Sequence, residues 1–174
     1  MRAAGIIAAG LGERLRGSHP GLPKPLLPVA GRPLVHWVVS GLLAAGVERL
    51  TILFNSRGDA ARAALERDFP RAALRFLRAD TPTSFASFRL VAGTLAAEEE
   101  AFLMSTVDAL IPPAEARRFA AEALAGSPRP WAAVALTRFV EDEKPLWTEL
   151  GGDGLVRAFG DAARHDAVTC GLYA

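Results

Sequence analysis

Short apolar runs alternate with amphipathic stretches along most of this chain, and that alternation restricts the fold more than any other feature. Residues 5–9, 50–54, 73–77, 101–105 and 131–136 are compact apolar runs of strand length. Between them, Leu34, Val35, Val38, Val39, Leu42 and Leu43 recur at helical spacing over 33–45. Pro33 suits the first turn of that helix and Gly46 its stop. Further helices are expected over 59–69, 85–97 and 115–125. Strands that alternate with helices predict an α/β fold: a doubly wound, mainly parallel sheet with helices on both faces, Rossmann-like in outline. After Lys144-Pro145 the pattern shortens. Strands over 147–150 and 155–159 flank Gly151-Gly152-Asp153-Gly154, a hairpin signal near the C-terminus, and 167–173 reads as a last strand.

The chain has 174 residues, a length that suits one domain, and no internal repeat or low-complexity linker divides it. With 51% hydrophobic residues it can bury a core and is not a disordered chain. A net charge of +1 gives no basis for nucleic-acid binding through bulk charge, so no nucleic-acid partner is expected. Cys170 stands alone, which excludes an internal disulfide framework and a multi-cysteine zinc site. No apolar run reaches the roughly 18–20 residues of a membrane span. The apolar N-terminal run is followed at once by Glu13, Arg14 and Arg16 and reads as a buried strand, not a signal peptide. A cytoplasmic protein without a membrane partner is expected.

In an open α/β sheet, ligands gather at the carboxyl ends of the strands, so the loops after Ala9, Asn55, Leu77 and Ser105 carry the chemistry. The first reads Ala8-Ala9-Gly10-Leu11-Gly12-Glu13-Arg14-Leu15. Its glycines let backbone N–H groups approach an anion, and Arg14 offers a planar fork to phosphate oxygens. The segment is not a dinucleotide-binding fingerprint. Leu15 occupies the third glycine position, and the second strand ends at Asn55 where that fingerprint needs an acid. A second motif, Leu22-Pro23-Lys24-Pro25-Leu26-Leu27-Pro28-Val29, places one of only two lysines between prolines that hold it in place. An ammonium there can neutralise phosphate as a point charge. Gly31-Arg32-Pro33-Leu34 follows.

The two segments in this order resemble the N-terminal signature of the nucleotide-diphospho-sugar transferase superfamily, the sugar-1-phosphate nucleotidyltransferases. That resemblance implies that the backbone of Ala8, Ala9, Gly10, Leu11 and Gly12 meets the nucleotide. It further implies that Arg14 meets the triphosphate and Lys24 the phosphates near the reaction centre, both as catalytic residues. Ala101 to Asp108, followed by Ala109-Leu110-Ile111-Pro112, is similar to the family's metal-binding segment and implies Asp108 as a ligand of Mg²⁺. The alternative role for Asp108 is that of a helix cap or turn former. Thr106 stands where the family usually has Gly. Thr83 and Ser84 lie where the family reads base and ribose, and fit a helix N-cap as well. Thr169 and Gly171 fall on the strand that meets the sugar in the family, with Thr169 in place of the usual Asn.

The function implied is transfer of a nucleotidyl group from an NTP to a sugar-1-phosphate, giving an NDP-sugar and pyrophosphate, with Mg²⁺ as cofactor. Two alternatives stand beside it. One is a molybdenum-cofactor-type nucleotidyltransferase acting on a pterin phosphate, and the other a non-catalytic domain that binds nucleotide or sugar phosphate. One NTP-transferase-type domain over 1–174 is expected: either it is truncated at its C-terminal end, where the family carries a second metal-binding Asp or Asn, or that second ligand is absent. Neither the base, the sugar nor the oligomeric state is legible. His19, His36 and His165 share no ligand spacing, and Cys170 lies in an apolar strand with no base beside it.

Overall fold

The computed structural model describes residues 1–10, 12, 21–125, 132–140 and 145–174. Strand β1 (Ala3–Ala8) is followed by a two-residue hairpin, β2 (Pro28–Val29) and β3 (Arg32–Pro33), and by α1 (Leu34–Ala44). Next come β4 (Arg49–Phe54), α2 (Asp59–Asp68), β5 (Ala73–Arg78), α3 (Ser84–Ala96), β6 (Phe102–Thr106) and α4 (Pro113–Ala125). Four strands complete the chain: β7 (Val134–Thr137), β8 (Trp147–Leu150), β9 (Val156–Phe159) and β10 (Ala167–Tyr173).

The main sheet runs β5-β4-β1-β6-β10-β8-β9, with β7 also paired to β10. Its first four strands are parallel and are joined by helical crossovers. The expected doubly wound architecture is present there, with helices on both faces. On one face Ala4, Ile6 and Ala8 pack with Val35, Val39 and Leu42 of α1, Ala61 and Leu65 of α2 and Ala120 of α4. On the other, Ala3, Leu53 and Met104 pack with Val91 and Leu95 of α3. Cover on both faces explains why β1 and β4 are apolar without alternation. Completely buried side chains such as Leu50, Ile52 and Leu53 each stabilise the fold by about 1.5–3 kcal/mol.

The last four strands pair antiparallel with their neighbours. A short turn over 151–155, closed by Gly151 N–H to the Leu155 carbonyl at 2.9 Å, joins β8 and β9. β10 is the seam: it pairs with β6 through Leu172 and Tyr173, with β8 through Ala167 and Val168, and with β7 through Val168, Thr169 and Tyr173. Gly171 sits at φ +78° where the register shifts, and a Cβ there would lie 2.3 Å from the Thr106 hydroxyl. Only a residue without a side chain lets β10 bend this closely over the end of β6.

Element ends differ from the sequence reading for identifiable reasons. Pro33 belongs to β3, so α1 starts one residue later than expected. The hairpin turns through Ala30 (φ +47°) and Gly31 (φ +75°), both left-handed, a geometry the proline-rich composition around it obscures. Gly46 stops α1 as expected: its N–H donates to the Leu43 carbonyl and that of Val47 to Leu42. α4 starts at Pro113, two residues early, because proline is well tolerated in a first helical turn. The strand expected over 131–136 spans Val134–Thr137, and Trp131 lies outside the described residues. No described helix is long and apolar enough to cross a membrane.

Candidate active site

The carboxyl ends of β1 and β6 lie side by side, since Ile7 pairs with Thr106 and its carbonyl accepts from the Val107 N–H at 3.1 Å. β6 therefore delivers Asp108 two residues past its end, beside the exit of β1. Strand pairing alone brings the first loop and the Asp108 turn together. That turn is closed by Ala109 N–H to the Thr106 carbonyl at 3.2 Å and Leu110 N–H to the Asp108 carbonyl at 3.1 Å. The Asp108 carboxylate does not cap α4, which starts five residues later, so the capping alternative is excluded.

The carboxylate is instead paired with Lys24. The Lys24 ammonium donates to Asp108 Oδ2, a contact across 84 residues of sequence. Lys24 opens a single 3-10 turn, Lys24–Leu26, whose amides are satisfied by Leu26 N–H to Pro23 at 2.9 Å and Leu27 N–H to Lys24 at 3.1 Å. Buried Pro25 and Leu27 anchor that turn in the protein. The Lys24 stem is largely covered, with 19% of its side chain exposed, against 50% for Asp108. Gly12, at φ +61°, backs onto the stem so closely that a Cβ there would lie 3.1 Å from Lys24 Cβ. Gly12, the lysine and the acid thus converge on one place.

Burial raises the Asp108 pKa, but the Lys24 charge and hydrogen bonds from Lys24 and Thr106 outweigh it. The carboxyl is held below the ordinary carboxylate range, so it is anionic at neutral pH. Thr106, which stood out in the sequence only as a departure from the resembled pattern, both bonds Asp108 and carries the close approach of Gly171.

The other expected site residues are distributed as follows. Ala8 and Ala9 are buried and Gly10 is exposed at the end of β1. Leu11 and Arg14 lie outside the described residues. Thr83 caps α3, its hydroxyl accepting from the Ala86 N–H at 3.1 Å, and Ser84 is the first residue of that helix. Both are exposed, and neither forms a described contact with Lys24 or Asp108. Thr169 is occupied in the sheet, paired with Leu136 and bonded through its N–H to the Leu146 carbonyl at 3.3 Å. Gly171, by contrast, lies against Thr106 and Ala109, next to Asp108.

Among the described residues, no three His, Cys, Asp or Glu side chains gather into a metal cluster. One anionic carboxylate, half exposed at a strand end, remains as a hard oxygen donor. That set suits a divalent ion completed by substrate phosphates and water rather than an all-protein cage. An open groove of ≈ 350 Å³ between α2 and β5, lined by Arg62, Phe69 and Phe76, shares no residue with this place.

The described geometry is a parallel half-sheet at one edge of which Gly12, the proline-braced lysine and the strand-end aspartate meet. Residues 4–167 match the family described as the MobA-like NTP transferase domain. A UTP–glucose-1-phosphate uridylyltransferase of Mycoplasma pneumoniae is 32% identical over 69 residues, 40% of this chain and 24% of that protein. A CMP-5'-(3-aminopropyl)phosphonate synthase of Streptomyces rubellomurinus is 28% identical over 163 residues, 92% of this chain and 24% of that protein. The matched stretches thus span about a quarter of the length of each of these two relatives. Among solved structures, the inositol-1-phosphate CTP transferase from T. maritima superposes with a TM-score of 0.81 at 20% identity, over 99% of this chain and 69% of that one. The fold is therefore that of nucleotidyltransferases, and a family match over nearly the whole chain places the protein within the MobA-like NTP transferase domain family.

Proposed function

We propose that this chain joins an NTP to a sugar-1-phosphate, forming an NDP-sugar and releasing pyrophosphate. A phosphate oxygen of the acceptor forms a bond to the α-phosphorus of the NTP, the bond between α-phosphorus and bridging oxygen breaks, and pyrophosphate leaves with that electron pair. The nucleophile is already an anion, so the step needs positioning and charge neutralisation rather than a strong base. The observation that carries the reading is the pairing of Lys24 with Asp108 against Gly12, at the carboxyl ends of β1 and β6.

Each residue has a defined task in this reading. The Ala8 to Gly12 backbone meets the nucleotide, and Arg14 holds the triphosphate that becomes pyrophosphate. Lys24, on its braced turn, draws the two anionic substrates together and stabilises charge at the transferring phosphorus. Thr83 and Ser84, at the N-terminus of α3, serve the base and ribose, while Thr169 and Gly171 border the acceptor. Asp108 is the protein ligand for Mg²⁺, which when bound supplies charge neutralisation and Lewis acidity at the phosphates.

The names of relatives support the reading: a uridylyltransferase acting on glucose-1-phosphate is among them. A second reading changes only the acceptor. The relative aligned over 92% of the chain is named for a CMP-phosphonate product, and a phosphonate presents the same anionic oxygen nucleophile. A pterin phosphate would fit the same chemistry.

The test is pyrophosphate release with Mg²⁺, each of the four NTPs, and a panel of sugar-1-phosphates, phosphonates and a pterin phosphate. Release with one NTP and a sugar-1-phosphate supports the proposal. Release only with a phosphonate or pterin phosphate replaces the acceptor, and NTP binding without release for any acceptor favours a binding domain.

A further inference from the structure

Asn55 follows β4 directly, is 9% exposed, and has both ends of its amide in use. Nδ2 donates to the Ala9 carbonyl at 2.9 Å, across 46 residues of sequence, and Oδ1 accepts from the Arg57 N–H at 2.9 Å. Its own carbonyl accepts from the Gly58 N–H at 3.1 Å. The turn it belongs to is clamped from β5: Ser56 N–H donates to Asp80 Oδ1 at 2.9 Å, and Arg78 donates to the Ser56 carbonyl at 2.8 Å. A buried amide this fully paired is fixed in place.

What it fixes is the backbone where the first loop leaves β1. The Ile7 carbonyl faces β6, and strict alternation along a strand would turn the Ala9 carbonyl the same way. Asn55 holds it instead from the side of β4. The peptide between Ala9 and Gly10 is planar and trans, so its N–H points opposite to its C=O. The Gly10 N–H is therefore directed away from Asn55, while the negative end of the same peptide is kept from the space beside Asp108 and Lys24. For an anion-binding loop these two effects act in the same sense: a donor is presented and an acceptor is withdrawn.

We propose that Asn55 is a positioning residue for nucleotide binding, holding the Ala9–Gly10 peptide so that its N–H serves the NTP phosphates. The proposal rests on the reading that this loop meets the nucleotide. Two variants isolate it. Asn55→Asp and Asn55→Ser each retain an acceptor for the Arg57 N–H but cannot donate to the Ala9 carbonyl, the first for lack of N–H and the second for lack of reach.

NTP affinity, measured by titration calorimetry with folding checked by circular dichroism, should weaken by about tenfold in both, the scale of one misdirected hydrogen bond. Acceptor KM should stay unchanged, a split that general destabilisation would not produce. In the wild-type protein, which needs no substitution, the Gly10 amide resonance should shift on NTP addition. Wild-type NTP affinity in either folded variant overturns the role of Asn55 while leaving the nucleotide reading intact. A Gly10 amide silent to NTP overturns both that role and the reading that this loop meets the nucleotide. Absence of NTP binding in the wild-type protein overturns both.

Discussion

Replacing Lys24 with alanine separates a catalytic lysine from a structural one, because the geometry assigns the two roles very different magnitudes. As a structural ion pair, Lys24–Asp108 is worth little. Asp108 is half exposed, and the pair is screened on that side by water, so its loss costs stability about 1 kcal/mol or less. The turn around Lys24 rests on backbone bonds and on buried Pro25 and Leu27, none of which the substitution removes. As a preorganised cation at the transferring phosphorus, the same side chain is worth roughly 10²–10³ in turnover, or about 3–4 kcal/mol. Lys24→Ala should therefore melt within a few degrees of wild type and release pyrophosphate at least about 10²-fold more slowly. Thermal unfolding by circular dichroism and a coupled pyrophosphate assay read the two quantities separately. Unchanged turnover in the folded variant would remove Lys24 from the chemistry, and loss of the fold would show that its contact with Asp108 is mainly structural.

Further outcomes follow from other contacts. Gly171→Ala combines a left-handed φ of +78° with a Cβ 2.3 Å from the Thr106 hydroxyl, so it should destabilise the fold by about 2–4 kcal/mol, read from urea unfolding. A stability equal to wild type would contradict the described bend of β10. His36 is 5% exposed and lies edge-on to Phe69, with centroids 5.4 Å apart. Burial lowers its pKa; Asp68 opposes this, while Arg32 and Arg67 add to it. The unfolded chain thus takes up a proton at the ordinary value of 6.5 while the folded one does not. Stability from His36 is complete above that pH and is lost as pH falls towards the lower folded value. Urea midpoints should fall between pH 7 and 5 in wild type and less steeply in His36→Leu; identical slopes would sink this account.

The parallel half of the fold was legible because buried strands and one-sided helices leave local periodicities, and β1, α1, β4, α2, β5 and α3 all emerge within two residues of the expected bounds. Lys24 was legible as a candidate from its setting between prolines, and Asp108 from the resemblance of its segment to the family's metal-binding one. That they touch was not legible from spacing alone, since 84 residues separate them and strand order decides the meeting. The β2–β3 hairpin escaped because two-residue strands have no periodicity. Asn55 served in the sequence only to argue against a dinucleotide site. Its hold on Ala9 depends on β4 lying beside β1, which no local pattern encodes. The placement of β10 between β6 and β8 escaped for the same reason, and with it the contact of Gly171 with Thr106.

Whether the Lys24–Asp108 pair marks a nucleotidyl-transfer centre is read from the Mg²⁺ dependence of NTP affinity in Asp108→Asn. Titration calorimetry with and without Mg²⁺, on wild type and variant, gives the required comparison. An amide keeps the size of the carboxylate but loses the charge that a hard divalent ion requires. The variant should bind metal-free NTP much as wild type does and lose most of the gain in affinity that Mg²⁺ gives the wild type. A Mg²⁺-dependent gain of wild-type size in Asp108→Asn would contradict the nucleotidyl-transfer reading.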